Sequence, residues 1–139
     1  MKITPNFNFN GQCAEAIQLY QKAFNAQVVQ CITNKEAVWE ESYNVMAETG
    51  NQIYHAEMMI GEQRIMLCDN VNILFQPTAS LSLTVTVDSK EEALHAFDVL
   101  KEGCRIIYPI QSTAYSSCFV SLFDRFGFRW VLMTEKPNA

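Results

Sequence analysis

Residues 6–24, NFNFNGQCAEAIQLYQKAF, and residues 83–100, LTVTVDSKEEALHAFDVL, decide the fold, because each changes from period two to helical spacing at one turn. Phe7 and Phe9 alternate with Asn6 and Asn8, as in a strand with one apolar and one polar face. Gly11 breaks that strand, and Cys13, Ala16, Ile17, Tyr20 and Phe24 then fall on one helical stripe. Leu83, Val85 and Val87 repeat the alternation with Thr84 and Thr86 between them. Ser89, with Glu92 three residues later, reads as a capping box ahead of Ala93, Leu94, Phe97 and Leu100. Glu15-Ala16-Ile17 with Tyr20 aligns with Glu92-Ala93-Leu94 with Phe97, so the two stretches are copies of one unit.

The rest of each copy follows outward. Alternation extends the two opening strands back to Ile3 and Leu81. Asn25-Ala26 ends the first helix, and Gln27–Thr33 reads as a strand; Gly103 sits like a C′ glycine after the second, followed by apolar Ile106-Ile107. Gly61-Glu62 joins strands 53–60 and 63–69 in a hairpin, and Asp124-Arg125-Phe126-Gly127 joins strands 117–123 and 128–134. The expected architecture is α+β: one domain over 1–139, with β-α-β-β-β modules at 1–69 and 81–136 and a linker at 70–80. Residues 34–52 form an insertion that contains Trp39 and room for a short helix. With helices on one face of each sheet, the other faces are expected to curve around a cavity. Thr4, Asn6, Asn8, Ser82, Thr84 and Thr86 point into it.

The 139 residues are 49% hydrophobic and 18% charged, the composition of a globular chain with a sizeable core. A net charge of -5 and scattered basic residues argue against a phosphate-backbone partner, so no nucleic acid is expected. Cys13, Cys31, Cys68, Cys104 and Cys118 are too dispersed for a CxxC metal pattern or a disulfide framework. No apolar leader and no membrane-length stretch stands in the sequence, so no membrane partner and a reducing cytoplasm are expected.

Phe9-Asn10-Gly11-Gln12-Cys13 with Glu15-Ala16-Ile17, His55-Ala56-Glu57 with Ile60-Gly61, Met66-Leu67-Cys68-Asp69, and Asp124 to Trp130 occur in that order. Together they resemble the vicinal oxygen chelate superfamily (glyoxalase I, extradiol dioxygenases, bleomycin-resistance proteins), and within it the PhnB-like branch. The resemblance implies the glyoxalase/bleomycin-resistance fold. In the superfamily's enzymes it also implies a divalent metal, held from the first and last strands of each module, that acts as a Lewis acid. The corresponding positions here are Thr4 or Pro5, Met66 or Cys68, Ser82, and Val131. None suits a hard divalent ion, so no metal cofactor is expected. Superfamily members commonly complete their sites across a two-fold, which implies a homodimer.

His55 and Glu57, at i and i+2 on one strand face, are the candidate catalytic or ligand-anchoring pair; the alternative is a structural hydrogen bond. Asn6, Asn8, Trp39, Ser82, Thr84, Tyr115 and Arg129 are the candidate ligand contacts. Trp39, Tyr43, Tyr54, Tyr108, Tyr115 and Phe119 could together wall an apolar pocket, bordered by the polar run Ser112–Ser117. Cys68 and Cys118 read as inert buried thiols and His95 as a helix-surface residue. The expected function is small-molecule binding in the cavity between the modules. The alternatives are a metal-dependent lyase, isomerase or dioxygenase-like enzyme using His55, Glu57 or Cys68, and a drug-sequestering resistance protein. No Gly-rich nucleotide turn follows a strand, so a methyltransferase is not expected.

Overall fold

Phe7 and Phe9 are buried and Asn6 and Asn8 are not, so the first strand, β1 (Asn6–Phe9), takes the alternation read from the sequence. The computed structural model describes residues 1–39, 50–70, 74–76 and 78–136, with residues 38 and 39 described by their backbone alone. After β1 come α1 (Cys13–Phe24), β2 (Gln27–Thr33), a 3-10 turn (Glu36–Trp39), β3 (Ile53–Ile60) and β4 (Gln63–Asp69). The same series returns as β5 (Leu83–Val87), α2 (Lys90–Leu100), β6 (Arg105–Gln111), β7 (Ser116–Phe123) and β8 (Arg129–Glu135). The chain divides into two compact units, Met1–Phe75 and Gln76–Ala139.

Each unit is one four-stranded mixed sheet with a helix on one face. The strand orders are β1-β4-β3-β2 and β5-β8-β7-β6. In both, the first strand pairs parallel with the last and the remaining pairs are antiparallel. Each helix carries the chain from the first strand at one edge of its sheet to the second strand at the other edge, and the last strand returns to lie beside the first.

In the first unit α1 buries Cys13, Ala16, Ile17, Leu19, Tyr20 and Ala23. The Phe7 and Tyr20 rings meet edge to face at 6.0 Å, and Ile65, Leu67, Ala56 and Met58 complete the layer beneath. Gln12 offers α1 no side-chain cap. Asp69 supplies one from the far end of β4: its Oδ1 accepts from the Cys13 amide at 3.0 Å and its Oδ2 from the Ile53 amide at 2.8 Å. In the second unit the cap is local, as the capping box predicts, with Ser89 Oγ accepting from Glu92 N at 3.2 Å. Here α2 buries Ala93, Ala96 and Leu100. The sheet opposes them with Val120, Leu122, Trp130 and Leu132, all nearly inaccessible.

Element ends differ from the reading of the sequence where a pairing partner decides them. β1 starts at Asn6, because Pro5 has no amide for the ladder and offers only its carbonyl, to Met66 N at 2.8 Å. Ile3 is left exposed. β5 starts at Leu83, with Leu81 exposed, and Phe128 belongs to the turn because its amide donates to Asp124 Oδ1 at 3.1 Å. Gly103 has φ +71° but stands one residue beyond the C′ position, since Lys101 is the helical C-cap. Asp124 ties the second hairpin: Oδ1 also accepts from Phe126 N at 2.9 Å, and Oδ2 accepts from Trp130 Nε1 at 2.9 Å.

Candidate functional site

With α1 on one face of the first sheet, alternation leaves His55, Glu57, Arg64, Met66, Cys68, Asn6 and Asn8 on the other. His55 and Glu57 do meet there, His55 Nε2 lying 3.0 Å from Glu57 Oε1. An ionised carboxylate only accepts, so Nε2 carries a proton, and in the neutral form of the ring Nδ1 presents a lone pair. The same Oε1 accepts from Arg64 Nη2, forming an ion pair. Glu57 is 8% exposed, whereas the His55 and Arg64 side chains keep 32% and 41% of their surfaces open. The Arg64 hydrogen bond first, and the His55 one second, hold the Glu57 carboxyl below its ordinary value of 4.5.

Beside this triad, Cys68 Sγ donates to Asn8 Oδ1 at 3.3 Å, joining two residues that face each other in the parallel register. Burial, and then the Asp69 charge, push the Cys68 thiol up, which keeps it protonated and a poor nucleophile. Asn6 is exposed and contributes its carbonyl to Asn8 Nδ2 at 3.2 Å. Tyr54 alternates with His55 and so belongs to the opposite face.

The helix-free face of the second sheet is aromatic. Phe119 meets Tyr115 edge to face at 6.2 Å and Tyr108 at 6.5 Å. Phe119 is 9% exposed, whereas Tyr108 and Tyr115 are 52% and 60% exposed. Alternation adds Ser121, Val131, Met133 and Arg129 to this face, with Thr84 opposite Val131 and Thr86 opposite Met133 in the register. Arg129 Nη1 donates to Ala79 O at 2.8 Å. Thr84 is exposed and Ser82, ahead of β5, half-buried. Cys118 is buried and His95 exposed on α2. The side chain of Trp39, and Tyr43 altogether, lie outside the described residues.

Arg64 was not evident from spacing alone, yet the hairpin contained the signal. A two-residue turn sets Ile60 opposite Gln63 and Met59 opposite Arg64, which places Arg64 diagonally across from Glu57. At the positions where the resemblance implies metal ligands, Met66 and Cys68 are a thioether and a protonated thiol, and Val131 is a hydrocarbon. This donor set does not fit a hard divalent cation. Among the described residues no three His, Cys, Asp or Glu side chains cluster as a metal would need, and no helix is long and apolar enough to cross a membrane.

The profile of the family described as 3-demethylubiquinone-9 3-methyltransferase matches residues 1–133. Protein PA1353 from Pseudomonas aeruginosa superposes with a TM-score of 0.82 at 27% identity, over 99% of each chain. A putative 3-demethylubiquinone-9 3-methyltransferase, PhnB protein, from Bacillus cereus gives 0.80 at 27% identity, over 96% of this chain and 99% of its own. A glyoxylase/bleomycin resistance protein/dioxygenase domain from Frankia sp. gives 0.67 at 12% identity, over 98% of each, a likeness of fold alone.

Proposed function

Because the chain belongs to the 3-demethylubiquinone-9 3-methyltransferase family, within the vicinal oxygen chelate superfamily and its PhnB-like branch, we propose that it binds a small organic molecule on the helix-free faces of its sheets, without the superfamily's usual metal site. The observation that carries this reading is the buried Glu57 carboxylate held between His55 and Arg64. A salt-bridged, hydrogen-bonded cluster of this kind is costly to desolvate, and it orients the His55 imidazole so that Nδ1 of the neutral ring can accept a hydrogen bond. Such a group accepts a hydrogen bond from a ligand hydroxyl or amine, or takes its proton. On the helix-free face of the second sheet, taken by itself, Tyr108, Tyr115 and Phe119 offer an apolar surface of the kind that small-molecule sites use.

The family's name carries a methyl transfer that this reading does not take up. The glycines stand at 11, 50, 61, 103 and 127, so no G-x-G nucleotide turn follows a strand. Self-association as a homodimer and a cytoplasmic location belong to the same reading. The exposed Ile106, Tyr108 and Ile110 on the edge strand β6 support the first, and five free cysteines the second.

A thermal-shift screen of the full chain against small organic molecules tests the proposal. A ligand at a hundred times its dissociation constant adds about 2.7 kcal/mol to stability. The ligand's shift should fall in His55→Ala and Glu57→Ala. Metal analysis of the same preparation is the second arm. Stoichiometric zinc, nickel, manganese or iron that Glu57→Ala removes would replace this reading with a metal enzyme using His55, Glu57 or Cys68.

A further inference from the structure

The two sheets share one register, so their helix-free faces can be compared residue by residue. Leu67 lies between Phe7 and Ala56 in the first, and Leu132 between Val85 and Val120 in the second. From that anchor Glu57 corresponds to Ser121, His55 to Phe119 and Arg64 to Arg129. In the first unit the carboxylate and guanidinium at these places are in contact, which shows that side chains set diagonally in this way reach each other. In the second unit the arginine is kept and the carboxylate is replaced by a hydroxymethyl group.

That replacement leaves donors without acceptors. Ser121 is 1% exposed, and among the described residues its Oγ has no hydrogen-bond partner. Arg129 Nε is equally inaccessible and, among the described residues, also without a partner, while Nη1 of the same guanidinium donates to Ala79 O. Buried polar atoms without partners are uncommon, and a charged one is the most costly to leave so. Ser121 and Arg129 stand diagonally across the β7-β8 pair, at the places where the first sheet has the paired Glu57 carboxylate and Arg64. Next to them, where the first unit has His55, the second has Phe119 with Tyr108 and Tyr115 around it.

We propose that the second module binds an organic oxyanion, a carboxylate or phosphate ester on a flat apolar body. Its charged end takes the place that Glu57 fills in the first module, and its body lies against Phe119. The oxyanion accepts from Arg129 and from the Ser121 hydroxyl, while the rings supply apolar contact. This names the ligand class for the binding function proposed above and rests on that reading.

The test has two arms, both on the full chain. In the first, benzoate, phenyl phosphate and benzamide are titrated by calorimetry into the wild type, Arg129→Gln and Ser121→Glu. One of the two anions should bind, benzamide and Arg129→Gln should each lower the affinity about ten-fold or more, and Ser121→Glu should abolish anion binding by filling the place. Which anion binds separates a carboxylate source from a phosphate one. In the second arm Ser121→Glu should melt several degrees above Ser121→Gln at neutral pH, and the gap should close as the new carboxylate protonates. The proposal stands only if both arms succeed, and failure of either overturns it. If neutral ligands from the thermal-shift screen still bind, the broader binding function survives; if nothing binds, both fall.

Discussion

Replacing Asp124 by alanine should unfold the second module's hairpin more than its turn position suggests. One carboxylate accepts from two backbone amides, Phe126 and Phe128, and from the indole of Trp130, which is 1% exposed. The buried indole N–H left without an acceptor costs about 1–3 kcal/mol, and each amide, able to find water in part, about 0.5–1 kcal/mol. The expected loss is about 3 kcal/mol. At an unfolding entropy of about 2.1 cal/mol/K per residue this lowers the melting temperature by about 10 °C. Circular-dichroism melts and urea titrations measure it. Trp130→Phe removes the donor, so in a double-mutant cycle the pair should show a coupling of about 1–2 kcal/mol. A loss below about 1 kcal/mol for Asp124→Ala, or additivity with Trp130→Phe, would refute the assignment of Asp124 as the lock of this turn.

Ser89→Ala removes the local cap of α2 and should cost about 1 kcal/mol in a urea titration. Gly61 and Gly103 both have positive φ, but only at Gly103 would an added Cβ meet a neighbour, Arg125 Cβ at 3.0 Å. Gly61→Ala should therefore cost about 1 kcal/mol and Gly103→Ala about 2 kcal/mol or more. The folded-state pKa of Glu57 lies below its ordinary value, so its contribution to stability is complete above that value and is lost as pH falls through the folded one. The difference in melting temperature between wild type and Glu57→Gln should accordingly shrink from about pH 5 downward, and a difference constant with pH would contradict the ion pair.

The duplicated unit, both helices and both hairpins were legible because each rests on local signals: alternation, an apolar stripe, a capping serine, glycines at turns. Strand starts were not, since Pro5 and Leu81 satisfy the alternation but lie outside the ladder. His55 and Glu57 could be paired from their spacing along one strand. Arg64 reaches them only across a hairpin, and Ser121 becomes informative only when its register is matched to that of Glu57. Asp69 gave no sign of capping a helix, because its partner amide stands 56 residues earlier in the chain.

That distant cap sets the two modules on different folding schedules. α2 carries its own start signal within three residues, so its first turn can form as soon as the local chain is free. α1 gains its cap only after β4 has docked alongside β1, a loop closure whose entropy must be met first. The same unit, copied twice, thus has one helix whose first turn is capped from within and one whose cap forms only together with its sheet.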